Sequence, residues 1–180
     1  MSELNKTLRV AGVGLVLGAL AVLTVPGRAV PDAFFDVGET FFLEFTDPES
    51  AATLEVVEFD EEQAAAMPFQ VTNRDGLWRI PSHNDYPADG RERLSNISAD
   101  IISLVKEDFR SDNISDHEAL GVIDPTDLTA ASLVGRGTRV TVKDANEEVL
   151  ADLIVGNRVD NRPGLRFVRM PDQKRVYTAR

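Results

Sequence analysis

The feature that most constrains this chain is an unbroken apolar run, LRVAGVGLVLGALAVLTV, from Leu8 to Val25, whose only charge is Arg9. As a helix rising about 1.5 Å per residue, such a run comes close to spanning a hydrocarbon core of about 30 Å. Pro26 and Gly27 then end it. Lys6, Arg9 and the terminal amine precede the run, and after it Arg28 is followed by a long stretch without bases. Positive charge is retained on the cytoplasmic side, so the N-terminus is expected in the cytoplasm and the rest of the chain across the membrane. A cleaved signal peptide would begin the same way, and Gly27-Arg28-Ala29 has small residues around a cleavage position. The bulky Arg28 in its middle and Pro26 just upstream favour an uncleaved signal anchor. A soluble core helix would require the remaining chain to cover it on all sides. Gly14 and Gly18, with Ala11 and Ala21 near the same face, have the small-residue spacing that lets two helix backbones approach. They are candidates for helix pairing and for a homo-oligomer.

Charge divides the remainder of the chain. Between Ala29 and Asn73 there are eleven acids and no Lys or Arg, enough to account for the net charge of −11. Residues 157–180 are the basic end, with seven bases against two acids. An acidic surface lacks the cations that displace counterions from a polyphosphate, so nucleic acid is not an expected partner. The acidic stretch reads first as solvated strand faces, with a cation or basic-partner site as the alternative. The Arg-rich tail is placed to fold back onto it. With no cysteine there is no disulfide framework, thiolate metal site, cysteine nucleophile or cysteine-linked lipid anchor.

Periodicity then predicts an α+β fold: an N-terminal transmembrane helix followed by an antiparallel sheet, hairpin plus meander, packed on one main helix. Residues 1–28 are read as a cytoplasmic stub and anchor, 29–52 as an acidic linker or edge strand, and 53–180 as the extracytoplasmic domain. Thr53 to Asp60 reads as a strand, and Phe69 to Thr72 with Leu77 to Ile80 as a hairpin around Asn73-Arg74-Asp75-Gly76, carrying the single tryptophan, Trp78. Asp89 and Glu92 have capping-box spacing for a helix through about Val105, with Leu94, Ile97, Ile101 and Leu104 on one stripe. Ser115 and Glu118 repeat that spacing for a short turn that Gly121 would end. Thr138 to Lys143 and Glu148 to Val155 form a second hairpin, ending at Gly156. Two short strands complete the chain, Phe167 to Met170 and Arg175 to Thr178.

Several chemistries fail on spacing. His117-Glu118 begins like a zinc-protease helix, but Gly121 stands where the second His should be. His83 lies near Asp85 and Asp89 and reads as a solvated side chain. Asp144-x-Asn146-x-Glu148 lacks the Gly and the final Glu of a calcium loop. Gly135-x-Gly137 lacks the third glycine of a dinucleotide fingerprint and leads into a strand. The acid pairs Glu61-Glu62 and Glu147-Glu148 are chain neighbours on turns. No cofactor or metal ligand set is expected. Trp78, flanked by Arg74 and Arg79, is a candidate interaction surface, against the commoner role of a Trp in or beside a core.

One ordered set of segments resembles a known family. It comprises Leu77-Trp78-Arg79-Ile80 and Pro87-Ala88-Asp89, Glu118-Ala119-Leu120-Gly121-Val122 with Pro125, Leu153-Ile154-Val155-Gly156, Phe167-Val168-Arg169, and Val176-Tyr177. Over about Leu54 to Thr178 the chain is similar to the bacterial family catalogued as domain of unknown function 4340. That resemblance implies an N-terminal membrane helix, association with ABC-type transporters or gliding motility, and no established catalytic residues. The expectation is therefore a non-enzymatic, single-pass protein of the bacterial inner (cytoplasmic) membrane, its domain periplasmic. It would be an accessory or scaffold subunit with transporter subunits as protein partners. The alternative is an extracytoplasmic ligand-binding module for a glycan, lipid or cation; a hydrolase is the least expected.

Overall fold

The computed structural model describes residues 36–180. Leu8 to Val25, with Gly14 and Gly18, lies outside the described residues. Among the described residues no helix is long and apolar enough to cross a membrane.

Among the described residues nine strands and two α-helices succeed one another: β1 (Thr53–Asp60), β2 (Ala65–Arg74), β3 (Leu77–Ile80), β4 (Tyr86–Pro87), α1 (Arg91–Ile102), β5 (Asp108–Ser111), α2 (His117–Leu120), β6 (Thr138–Lys143), β7 (Val149–Arg158), β8 (Arg166–Arg169) and β9 (Val176–Ala179). They make one sheet in the order β4-β3-β2-β1-β6-β7-β8-β9-β5, and every ladder in it is antiparallel. The chain walks outward from β1 to β4, crosses one face through α1, and adds β5 at the opposite edge. It then returns over the other face to set β6 beside β1. The α+β expectation holds at this level: mostly antiparallel sheet with two short helices.

Strand alternation sorts the side chains between the faces. Leu54, Val142, Ala151, Leu153, Val168 and Tyr177 pack in one buried cluster with Leu94 and Ile101 of α1. Leu120, Val122, Ile154 and Val176 form the second cluster, on the α2 face. The run Thr40 to Thr46, within the stretch read as an acidic linker or edge strand, makes a single isolated bridge, Thr40 to Val105, and Phe41 and Phe45 enter the first cluster. Thr53 and Thr72, directly opposite in β1 and β2, join their buried hydroxyls at 2.7 Å.

The sheet differs from the sequence reading in several places, and β4 is a strand where that reading has none. β2 starts at Ala65 and includes Pro68, because there it has β1 alone beside it and a strand edge tolerates proline. The β2–β3 turn narrows to Asp75 and Gly76, both at positive φ, as a two-residue hairpin requires. β7 runs through Gly156 to Arg158; Gly156 does not end the strand but leaves space for the Leu120 carbonyl, which an added Cβ would approach to 2.5 Å. β5 has no counterpart in the sequence reading, since Phe109 is its one apolar residue.

Helix α1 differs at both ends. Its N-cap is Gly90, with no side-chain cap bond, so the Asp89–Glu92 capping box is not used. Gly90 lies against Trp78, whose ring atoms would sit 3.2 Å from an added Cβ, and this contact sets where the helix begins. At the other end the chain leaves α1 after Ile102 so that Val105 can bridge Thr40. The buried stripe is Leu94, Ser98 and Ile101, while Ile97 is 37% exposed. Ahead of α2, Asn113 caps a short 3-10 turn, Ile114–Asp116, by accepting from the Ser115 N–H; α2 itself has Asp116 at its N-cap with no side-chain bond, so Ser115 caps neither, and Gly121 ends α2 at φ 71°.

The beginning of the described chain is tied to its end. Asp36, 6% exposed, accepts from Tyr177 Oη at 2.5 Å and Lys106 Nζ at 3.1 Å, and Arg175 lies 3.4 Å away. The basic tail thus reaches one acid of the base-free stretch. Burial works against the Asp36 charge, but the Tyr177 and Lys106 hydrogen bonds and the Lys106 charge outweigh it and hold its pKa below the usual carboxylate value. A depressed folded pKa gives stability that is present above the unfolded value of 3.8 and lost as pH falls through the folded one. Asp36→Asn is expected to cost about 3 kcal/mol at pH 7. That deficit should shrink below pH ~4; a pH-independent deficit in urea unfolding contradicts the assignment.

Glycines make a second checkable point. A Cβ on Gly137 would meet the Gly121 and Val155 carbonyls at 2.8 and 2.9 Å and the Ile154 side chain at 2.5 Å. Gly137→Ala should therefore cost more than about 2 kcal/mol, whereas Gly76→Ala, strained only by its positive φ, should cost about 1 kcal/mol. Equal shifts in Tm for the two variants count against the close-crossing account.

Candidate functional site

Several partly buried or buried arginines are engaged in holding the chain together. Arg136 donates to the carbonyls of Asp124, Asp127, Ala130 and Ser132 and lies 4.4 Å from the Phe59 ring centroid. Buried Arg169 donates to the carbonyls of Val122, Met170, Pro171 and Gln173. Arg139 bridges Asp152 and Asp124 at 2.6 and 3.0 Å, an arrangement across β6 and β7. The Gly135-x-Gly137 loop serves close packing: a Cβ on Gly135 would lie 2.4 Å from the Glu118 carbonyl.

The histidines are far apart in role. His83 is exposed, its Nδ1 2.9 Å from Ser82 Oγ. His117 is buried, and burial pushes its pKa below the usual imidazole value. Its Nε2 is 2.9 Å from the Lys174 carbonyl, which fixes the proton on that nitrogen. Among the described residues no three His, Asp or Glu converge to hold a metal ion. The Asp144 carboxylate accepts from the N–H groups of Asn146 and Glu148, so this stretch is a hairpin turn.

Two concave surfaces flank α1. The first is a cleft of about 240 Å³ where the short turn Pro48–Ser50, the β2–β3 hairpin tip and the first turns of α1 meet. Trp78, Ala51 and Leu94 give it apolar walls, and Asn73, Glu49, Arg91 and Ser95 a polar rim. Glu49 accepts from Ser95 Oγ at 3.0 Å and faces Arg91 at 3.9 Å. Of the residues singled out in the sequence, Trp78 is in this cleft. Arg74 instead pairs with the Asp85 carboxylate at 3.3 Å, and Arg79 donates to the Asp85 carbonyl. The cleft's cation is Arg91, and its carboxylate, Glu49, comes from the acidic stretch; neither is separable in sequence from ordinary surface charge.

The second surface is an apolar groove of about 250 Å³ between α1 and the sheet, lined by Ile97, Ile101, Leu104, Val140, Leu153 and Val155 among others. Arg166, Arg180 and Asp100 stand at its margins. It continues sideways along one cross-strand row, Phe69, Val56, Val140 and Leu153, set by the pairings of β2, β1, β6 and β7. Phe69 is 42% exposed and Val56 and Val140 are half-buried, so the row runs out from beneath the helix into solvent.

The segments quoted from the sequence fall on β3, α2, β7, β8 and β9, and a family model matches residues 78–180, more than half of the chain. The chain belongs to the family described as Domain of unknown function (DUF4340). The DUF4340 match starts at Trp78 itself, so β1 and β2, which supply the central partner of β6 and the Phe69 end of the apolar row, precede it. No curated protein and no solved structure matches the chain.

If the groove is open surface, serine at its margin should be tolerated. Ile97→Ser and Phe69→Ser are each expected to change stability by less than about 1 kcal/mol, while Ile101→Ser, at a position 8% exposed, should cost about 3 kcal/mol or more. Denaturant midpoints check this, and losses at Ile97 matching those at Ile101 contradict it.

Proposed function

We propose that this protein is a non-catalytic, membrane-anchored accessory or scaffold subunit of an envelope transport or motility complex, and that its α1 face docks a protein partner. The observation that carries the reading is the apolar row from Phe69 to Leu153 running into the groove beside Ile97. Partly exposed apolar side chains in adjoining positions on three strands, Phe69, Val56 and Val140, form a patch that ends at buried Leu153, and patches of that kind on a folded domain mark interaction surfaces. An apolar segment of the partner fits the groove, with Arg166, Arg180 and Asp100 available to its polar flanks.

Two further observations support the same reading. The run from Leu8 to Val25 has the composition of an anchor, and the DUF4340 resemblance implies a membrane helix and association with ABC-type transporters. The strongest charge clusters, around Asp36, Arg136, Arg139 and Arg169, are saturated by internal partners, which suits a scaffold.

Photo-crosslinkers placed at Phe69 and at Ile97 of the full-length chain in native membranes test the proposal, with Leu128, 98% exposed and outside the groove, as the control. Crosslinks from Phe69 and Ile97 to a transporter permease or ATPase subunit, lost on Val140→Asp and absent from Leu128, are the expected result. Equal crosslinking from all three positions, or adducts to a second copy of this chain alone, would sink it.

A further inference from the structure

The cleft at Trp78 lies outside the docking face and calls for a different occupant. Three separate stretches build it: the turn at Pro48–Ser50, the hairpin tip with Asn73 and Gly76, and α1 with Arg91, Leu94 and Ser95. One side of the indole is closed by Gly90, where an added Cβ would press on the ring at 3.2 Å. A volume of about 240 Å³ is below the usual range for a drug-sized ligand, about 300 Å³ upward. It suits a single ring.

The rim decides the chemistry of that ring. Glu49 and Arg91, 63% and 82% exposed, lie 3.9 Å apart on the rim, and the other Glu49 oxygen accepts from Ser95 Oγ. A pair so solvated contributes little to the fold and both groups stay available. Their charges cancel, so an anion would meet Glu49 and a cation would meet Arg91. The Asn73 side-chain oxygen is occupied by the Gly76 N–H, which leaves its amide N–H groups as donors. The rim therefore offers a carboxylate acceptor beside guanidinium and amide donors, around an aromatic wall whose electron-rich face attracts polarised C–H groups. A neutral ring with hydroxyls on its edge and C–H groups on its face satisfies all of these at once.

We infer that the Trp78 cleft is a carbohydrate subsite that takes one neutral pyranose ring of a glycan, stacked on Trp78 and hydrogen-bonded by Glu49, Arg91 and Asn73. This does not depend on the docking reading, since the two surfaces lie on different flanks of α1.

Trp78 is the single tryptophan of the chain, so its emission reports the cleft directly. The full-length chain, in a zwitterionic detergent without a sugar head group, is titrated with chitotetraose, cellotetraose and maltotetraose, and separately with inorganic phosphate and calcium chloride. At least one oligosaccharide should give a saturable change with a dissociation constant of about 1 mM or tighter. Glu49→Gln and Arg91→Gln, both at exposed positions that leave the fold intact, should each weaken it about tenfold without moving Tm. The inference is overturned by the absence of a saturable response to all three sugars, by a response that survives both substitutions, or by one that phosphate or calcium produces equally.

Discussion

A mismatch of dimensions governs this domain: nine strands at about 4.8 Å spacing make a sheet roughly 40 Å across, whereas α1, with 12 residues, is about 18 Å long. One such helix covers a few strands and no more. The rest of that face must be closed by chain without regular structure, and Phe41 and Phe45 do so from residues 36–52, a stretch whose composition is that of an acidic linker. Where neither the helix nor these aromatics reach, Val56, Val140 and Phe69 stay partly exposed. The groove and its adjoining row are thus a consequence of how little cover the sequence supplies for so wide a sheet.

The opposite face has the same shortage and meets it differently. Residues 112–137 lie over it with a four-residue helix and otherwise irregular backbone, so their carbonyls have few ladder partners. Buried or half-buried backbone acceptors must still be satisfied. Arg136 takes four carbonyls of this stretch, and Arg169 on β8 takes one of them, Val122, with three of the β8–β9 turn, which five-donor guanidinium groups can do and lysines could not. Gly137 and Gly156 let the carbonyls of Leu120 and Gly121 lie directly on the strands, and Gly135 lets the cover pack on its own backbone at Glu118. Basic and glycine-rich positions that look like ligand chemistry in one dimension are, on this face, the means of fastening loop to sheet.

That contrast explains which elements are legible in the sequence. β1, the β2–β3 hairpin, α1 and the β6–β7 pair can be read because each is specified by its own alternation, stripe or turn residues. β5 cannot, because an edge strand with Phe109 alone carries no period, and its place beside β9 is fixed by tertiary pairing. Asp36 with Lys106, Arg175 and Tyr177 is equally hidden, since its partners lie 70 to 141 residues away. In the cleft, Trp78 can be singled out because tryptophan is rare, but Arg74 and Arg79, its neighbours in sequence, point to Asp85. Arg91 and Glu49 arrive from elsewhere. Proximity along the chain identifies the hairpin, and only the packing of α1 against it identifies the rim.

The two concave surfaces share α1 as a wall, and the contacts that hold that helix determine whether they persist. Its first turn is fixed by Gly90 against Trp78, and its last turn by the departure of Val105 to Thr40. Between them Ser98 occupies the central buried position with its hydroxyl unpaired among the described residues. An unmade hydrogen bond there costs about 1–3 kcal/mol, and a serine fills less of the interface than the leucine or isoleucine of its neighbouring turns. Anchored at both ends and buried along the single stripe of Leu94, Ser98 and Ile101, α1 meets the sheet along one line, and the concave surfaces lie to either side of it.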